Sequence, residues 1–188
     1  MANKIKYGLR NCYYAVATDD GTGTLTYATP VALPGAVSLS LDPQGDSNPF
    51  YADDIIYFQS TSNNGYSGSL ELALIPDAFR KDVLGELEST NGLLVEKDNA
   101  PVVEFALLFE FQGDDKATRH AMYRCTAARP SAGSQTKDSG ITPQTETINV
   151  TAMPRISDHI VKAKVPQTAT AYASWFTAVV EPTFSTGG

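Results

Sequence analysis

The chain reads as a mostly β domain with one helix. Two long runs keep strict two-residue alternation of apolar and polar side chains, turn signals recur between short β-rich segments, and only one long stretch carries apolar residues at helical spacing.

Tyr7 to Ala15 opens the series of strands, followed by Val37 to Leu41 and Ile55 to Thr61, all rich in β-branched and aromatic residues. Ser67 to Ile75 alternates cleanly, with Leu70, Leu72 and Leu74 on one face and Glu71 and Ala73 on the other. Val102 to Phe111 is the strongest strand. Val103, Phe105, Leu107, Phe109 and Phe111 make an apolar face, and Glu104, Ala106 and Glu110 fall opposite, where solvent is expected. Met122 to Ala127, Thr145 to Thr151 and Ile160 to Val165 complete the set. In Thr145 to Thr151 one face is wholly polar while Ile148 and Val150 point the other way. Turns are signalled at Asp19-Asp20-Gly21, Leu33-Pro34-Gly35, Asn63-Asn64-Gly65, Gly113-Asp114-Asp115 and Arg129-Pro130.

Two segments depart from the strand period. From Pro76 to Glu88, Phe79, Val83, Leu84 and Leu87 recur at helical spacing, and Pro76 with Asp77 suits a helix N-terminus, so the helix is expected over 76–88. Tyr172, Trp175, Phe176 and Val179 fit a short C-terminal helix or an edge strand, ended by Pro182. Loops are expected at 42–54 and 130–143, where small, polar and turn-forming residues dominate. No repeat or linker divides the chain, so residues 1–182 read as one domain and 183–188 as a flexible tail.

Composition excludes several classes. The 188 residues suffice for a core without metals or disulfides, and a formal charge of −7 argues against gripping a nucleic-acid backbone. No apolar run approaches the roughly 18 residues a membrane helix needs. The N-terminus lacks the apolar stretch of a secretory signal, so synthesis in a cytoplasm is expected. Cys12 and Cys125 form no CxxC pair. A disulfide stays open on sequence alone, while two free thiols suit a cytosolic product.

Residues for chemistry are sparse. His120 and His159 have no second imidazole or thiol at metal-ligand spacing, and adjacency in a strand sends Asp158 and His159 to opposite faces. Gly65-Tyr66-Ser67-Gly68 lacks the glycine two places after the serine that a nucleophile elbow needs. Asp53-Asp54 and Asp114-Asp115 sit outside any twelve-residue calcium loop. No cofactor site and no enzyme activity are expected.

Several pieces in order carry a resemblance. They are Tyr7-Gly-Leu-Arg-Asn-Cys-Tyr-Tyr-Ala15, Leu33-Pro-Gly-Ala-Val-Ser-Leu-Ser40, Tyr51-Ala-Asp-Asp54 and Asn64-Gly-Tyr-Ser-Gly-Ser-Leu-Glu-Leu-Ala73, then Phe79 to Gly85, Phe105-Ala-Leu-Leu-Phe-Glu110 and Trp175-Phe176. Together they resemble the major tail proteins of long-tailed phages of Gram-positive bacteria, the phi13-like group. Cys12 departs from the β-branched or aliphatic residue expected after Asn11.

The resemblance implies a β-sandwich or barrel tail-tube fold with a flanking helix, assembling into hexameric rings. These would stack into a virion tail tube through which DNA passes without specific binding. It further implies a tape-measure protein inside the tube, with tail-terminator and baseplate or distal tail proteins at its ends. On that footing Glu71, Ala73, Glu104, Ala106 and Glu110 are expected to line the lumen; the alternative is an outer solvated face. Ser67 to Ile75 and Val102 to Phe111 are expected as edge strands that pair between subunits. Asp42, Gly45, Asp46, Asn48, Phe50 and Tyr51 are candidates for contacts between stacked rings. Two other readings stay open: the tube of a phage-tail-like bacteriocin, and an immunoglobulin-like module binding a host-surface carbohydrate through Phe50, Tyr51 and Tyr66.

Overall fold

The computed structural model describes residue 5 and residues 7–113, 117–136 and 143–184. The loop expected at 130–143 and the tail expected from 183 fall partly outside the described residues, as do Asp114 and Asp115. Among the described residues the order is β1 (Leu9–Asp19), β2 (Leu25–Tyr27), β3 (Val31–Ala32), β4 (Ala36–Gln44), β5 (Ser47–Ala52), β6 (Ile55–Thr61), β7 (Gly65–Leu72), α1 (Asp77–Asp82), β8 (Leu87–Glu88), β9 (Leu94–Val95), β10 (Glu104–Phe111), β11 (Arg119–Ala127), β12 (Glu146–Ala152) and β13 (Lys162–Val165). A 3-10 turn follows at Thr170–Tyr172. No helix among these residues is long and apolar enough to cross a membrane.

The main sheet runs β2-β1-β10-β11-β12-β7-β4, with β13 added to β11 and β3 to β1. Its path bends back until β4 touches β1, giving an antiparallel β-sandwich. One layer is β4, β7 and β12. The other is β1, β10 and β11 with their small partners.

Bulges make this geometry possible. Strand β11 turns the corner between layers: Arg119 to Met122 pair with β13, while Cys125 to Ala127 pair with β12. Between them, Phe105 faces Cys125 but Leu107 faces Met122, so β11 holds one extra residue. That residue lets Met122 and Cys125, three positions apart, both enter the same core. A second bulge interrupts β1 between Arg10 and Tyr13, where Asn11 takes a φ of 50°. It keeps Leu9, Cys12 and Tyr14 on the core side.

The core between the layers is built from Leu70, Leu72, Ile148, Val150, Phe105, Leu107 and Tyr14, and α1 caps it. Phe79 meets the rings of Tyr14 and Phe105 edge-on at 5.0 and 5.6 Å, and the Tyr14 hydroxyl donates to Asp82 at 2.7 Å. Cys12 and Cys125 are free and buried.

Several expectations need correction. The helix is shorter than 76–88: it ends at Asp82, and Gly85 turns the chain with a φ of 73°, which a side chain would resist. Leu87 then belongs to a small β8–β9 hairpin and is exposed. The loop expected at 42–54 is mostly strand, because β4 continues to Gln44 and β5 pairs with β6. Near the C-terminus, Trp175 is buried at the expected spacing, yet the segment is a 3-10 turn and a run of turns. Strands β7 and β10 are not edges, since each is hydrogen-bonded on both sides.

Two measurements test this core. Truncating the wedge, Phe79→Ala, should cost about 3–5 kcal/mol of unfolding free energy in urea titration. The second is alkaline. Burial pushes the Cys12 and Cys125 thiols and the Tyr27 and Tyr123 phenols up to about 12. In the unfolded chain they return to about 8.5 and 10, so the stability they contribute is complete below about pH 8.5 and is lost as pH climbs toward 12. Urea midpoints should therefore fall between about pH 8 and pH 11, and a flat profile contradicts the burial.

Candidate assembly surfaces

Apart from Val37, exposed at a bulge in β4, the layer β4-β7-β12 is apolar only toward the core. Its other face is set by the pleat and the register, which place polar residues in three rows across the strands. Ser38, Glu71 and Thr147 form the first row, Ser40, Ser69 and Asn149 the second, and Asp42, Ser67 and Thr151 the third. Glu71 accepts from Ser38 Oγ at 2.8 Å and from Thr145 Oγ1 at 2.6 Å. These bonds, Thr145's first, hold its carboxyl below the usual range, so it carries its charge at neutral pH. Ala73 follows on the strand's exposed continuation.

The β4–β7 ribbon runs on past the sandwich as the β5–β6 hairpin. Asn64 N–H donates to Gln44 O at 2.8 Å and Ser62 N–H to Asp46 O at 3.0 Å, which carries the pairing across the junction. Gly65 sits there because a β-carbon would lie 1.9 Å from the Ala152 carbonyl oxygen. At the tip Asp53 and Asp54, with φ of 53° and 62°, form the two-residue turn that matches strand twist. Phe50, Tyr51, Ile55, Ile56, Tyr57 and Phe58 are between 53% and 71% exposed, and neither hydrophobic core includes them. Such a concentration of large apolar side chains on one projecting ribbon is the signature of an interaction surface. Asp42, Gly45, Asp46, Asn48, Phe50 and Tyr51, the expected contact residues, are all exposed and lie along this ribbon. Sequence reasoning missed the partner strand, although the run Ile55-Ile56-Tyr57-Phe58 has no polar alternation and could have marked it.

The other layer is covered twice. Leu108, Ala121, Tyr123, Val165 and Trp175 form a second core beneath the C-terminal segment. This strap is clamped by polar contacts: Arg119 Nη1 donates to Tyr172 O at 2.6 Å, Tyr123 OH to Val180 O at 2.7 Å, and Arg155 Nη1 pairs with Glu181 at 2.5 Å. Phe176 stacks on Tyr13 at 4.8 Å. Arg155 also chelates Asp158, which lowers that carboxyl's pKa and accounts for the Asp158-His159 pair as a structural turn.

The lumen expectation is divided by this arrangement. Glu71 and Ala73 lie on the bare face. Glu104 is half-buried and held by Arg124 Nη2 at 2.7 Å. Ala106 is fully buried, and Glu110 is only 2% exposed, bound by Arg10 at 2.8 Å, Arg119 at 3.0 Å and Asn11 at 2.6 Å. A side chain covered within its own subunit meets no channel, so Ala106 and Glu110 are corrected to interior positions.

Charge is segregated between the layers. The spans 36–72 and 146–152, which make the bare face and the hairpin, contain Asp42, Asp46, Asp53, Asp54, Glu71 and Glu146 but no Lys or Arg. Arg10, Arg119, Arg124, Lys162 and Lys164 all belong to the strands of the other layer. Among the described residues no group of three or more His, Cys, Asp or Glu side chains could hold a metal ion.

Removing Arg119 tests the strap. Arg119→Met leaves Glu110 with one cation and should cost about 3 kcal/mol or more. In hydrogen exchange the strap should lose protection before β7 and β12 do.

No curated protein matches the chain. A family model described as phage tail tube protein matches residues 2–181. The match spans nearly the whole chain, and with it the sandwich, the bare polar face and the projecting hairpin: the chain belongs to the phage tail tube protein family, whose members are structural components of the virion tail.

Proposed function

We propose that this chain is the major tail tube subunit of a long-tailed phage of the phi13-like group. It polymerises as stacked hexameric rings whose lumen conducts the genome into the host. The observation that carries the reading is the bare face of β4, β7 and β12, where three polar rows coincide with an absence of Lys and Arg. A channel for DNA has to avoid gripping phosphates. Fixed cations would hold the polyanion, whereas hydroxyls and a few carboxylates keep a hydrated, weakly repelling wall. Repetition around a ring turns Glu71 of each copy into an acidic band.

The hairpin supplies the complementary need. Six large apolar side chains find cover when β5 and β6 dock on a neighbouring copy, and Gly45, Asn48, Phe50 and Tyr51 then lie in contacts between rings, while Asp42 and Asp46 stand at the open end of β4. A tape-measure protein would occupy the lumen during assembly, with terminator and baseplate proteins closing the ends. The subunit would be made in the bacterial cytoplasm and end in the virion.

The test separates passage from assembly. A phage carrying Glu71→Lys and Asn149→Lys should form tails of normal appearance by electron microscopy, because both sites are outside the cores. Its infectivity should drop by about tenfold or more, since each added cation gives the moving DNA a phosphate contact. Normal infectivity with normal tails would remove the lumen assignment.

A further inference from the structure

We propose that neighbouring copies within a ring join through a charge-matched seam, the acidic edge strand β4 of one copy against the basic edge strand β13 of the next. This rests on the tube reading and specifies its contact.

Both strands have one unpaired side. Strand β4 is bonded to β7 alone and β13 to β11 alone among the described residues. The Ala36 end of β4 shares a groove with β1, lined by Cys12, Leu33 and Ala36, which leaves the Leu41 to Gln44 end as the open part. Asp42 lies on that end and Asp46 just beyond it, both exposed. On β13, Ala163 and Val165 turn into the core beneath the strap, which leaves Lys162 and Lys164 exposed on the opposite side. Lys162 is partly committed, donating to the Tyr66 hydroxyl with its ammonium 4.4 Å from the ring centre. Lys164 is the more available cation.

Charge selects this pairing over the others. Joining β4 to a second β4 would set two ribbons without cations against each other, and joining β13 to a second β13 would oppose lysines. Both two-fold arrangements are therefore penalised. Among the described residues, the remaining main-sheet edges β2 and β3 carry no charged residue, the hairpins β5–β6 and β8–β9 carry no cation in their strands, and none of them offers β4 a complement. Among the described edges only the heterologous pairing sets carboxylates against ammonium groups, and a heterologous contact whose rotation closes generates a ring instead of a dimer. Four residues of β13 span roughly 13 Å, a short ladder that fixes register between neighbours in a ring.

A charge swap tests the seam. Asp42→Lys and Lys164→Asp are made singly and together in the full chain, with polymer measured by sedimentation and negative-stain microscopy. Both sites are exposed, so melting temperatures should stay within a few degrees of the parent. Should Asp42→Lys not fold, Asp46→Lys replaces it in the same scheme. Each single change should lower polymer yield by about tenfold or more, and the double change should restore it to within about threefold of the parent. Folded single variants that polymerise like the parent overturn the seam and leave the tube reading intact. So does a double variant no better than the singles. A parent chain that stays monomeric at high concentration overturns the tube reading and the seam with it.

Discussion

A strand that is apolar on both faces has to be covered twice, and β10 imposes that constraint on this molecule. Phe105, Leu107 and Phe109 enter the core between the layers, while Leu108 lies in the second core on the opposite side. The first cover is the layer β4-β7-β12. The second is the C-terminal strap, which is why Trp175, Tyr172 and Phe176 follow the last strand. Glu110 sits within this doubly covered strand, and an ionised carboxylate there is tolerable only when paired and hydrogen-bonded. Arg10, Arg119 and Asn11 meet that requirement, and Arg119 also anchors the strap through Tyr172. One buried charge thus links the β1 bulge, the central strand and the C-terminal segment.

The layer β4-β7-β12 is under the opposite constraint. With one face bare, its alternation is clean: Ile148, Val150 and Ala152 go in, while Thr147, Asn149 and Thr151 go out. Its outward carboxylates, Asp42 and Glu71, need no cation, its inward Glu146 is paired by Arg80 of α1 at 2.9 Å, and the strands that carry basic residues all belong to the other layer. Segregation of cations is in this sense a consequence of where carboxylates are buried. A cation-free outer face follows from the fold.

The sequence made the strands legible wherever one face met water. Ile55 to Thr61 matches β6, Thr145 to Thr151 falls within one residue of β12, and Ser67 to Ile75 overlaps β7 only as far as Leu72, beyond which Leu74, expected on the apolar face, is exposed. It misled where that assumption failed. The pattern of β10, with Glu104, Ala106 and Glu110 opposite the aromatics, resembles a half-exposed strand, yet the strap arrives from some sixty residues away and closes that face. Periodicity carries no information about such a cover. The bulges at Asn11 and in β11 were equally invisible, because a one-residue register shift leaves no compositional trace. At 42–54 the error ran the other way. Pro43, Gly45 and Pro49 signal a loop, but a two-stranded ribbon leaves part of each backbone edge unpaired, so proline within it loses little.

That ribbon also separates folding from assembly. Its six exposed apolar side chains belong to neither core, so the sandwich can fold without burying them. An isolated two-stranded hairpin is marginal in water, and this one is tethered at its base by the β4–β7 ladder instead of by packing. Its exposed surface remains unsatisfied until another chain covers it. A monomer can therefore be stable and still be driven toward association, with the apolar tip providing the energy and the turn at Asp53-Asp54 keeping two charges at the leading end. Those carboxylates disfavour indiscriminate tip-to-tip contact between hairpins, since like charges would meet first. Association is then directed toward surfaces that offer apolar cover without added negative charge, which is the selectivity an ordered polymer requires.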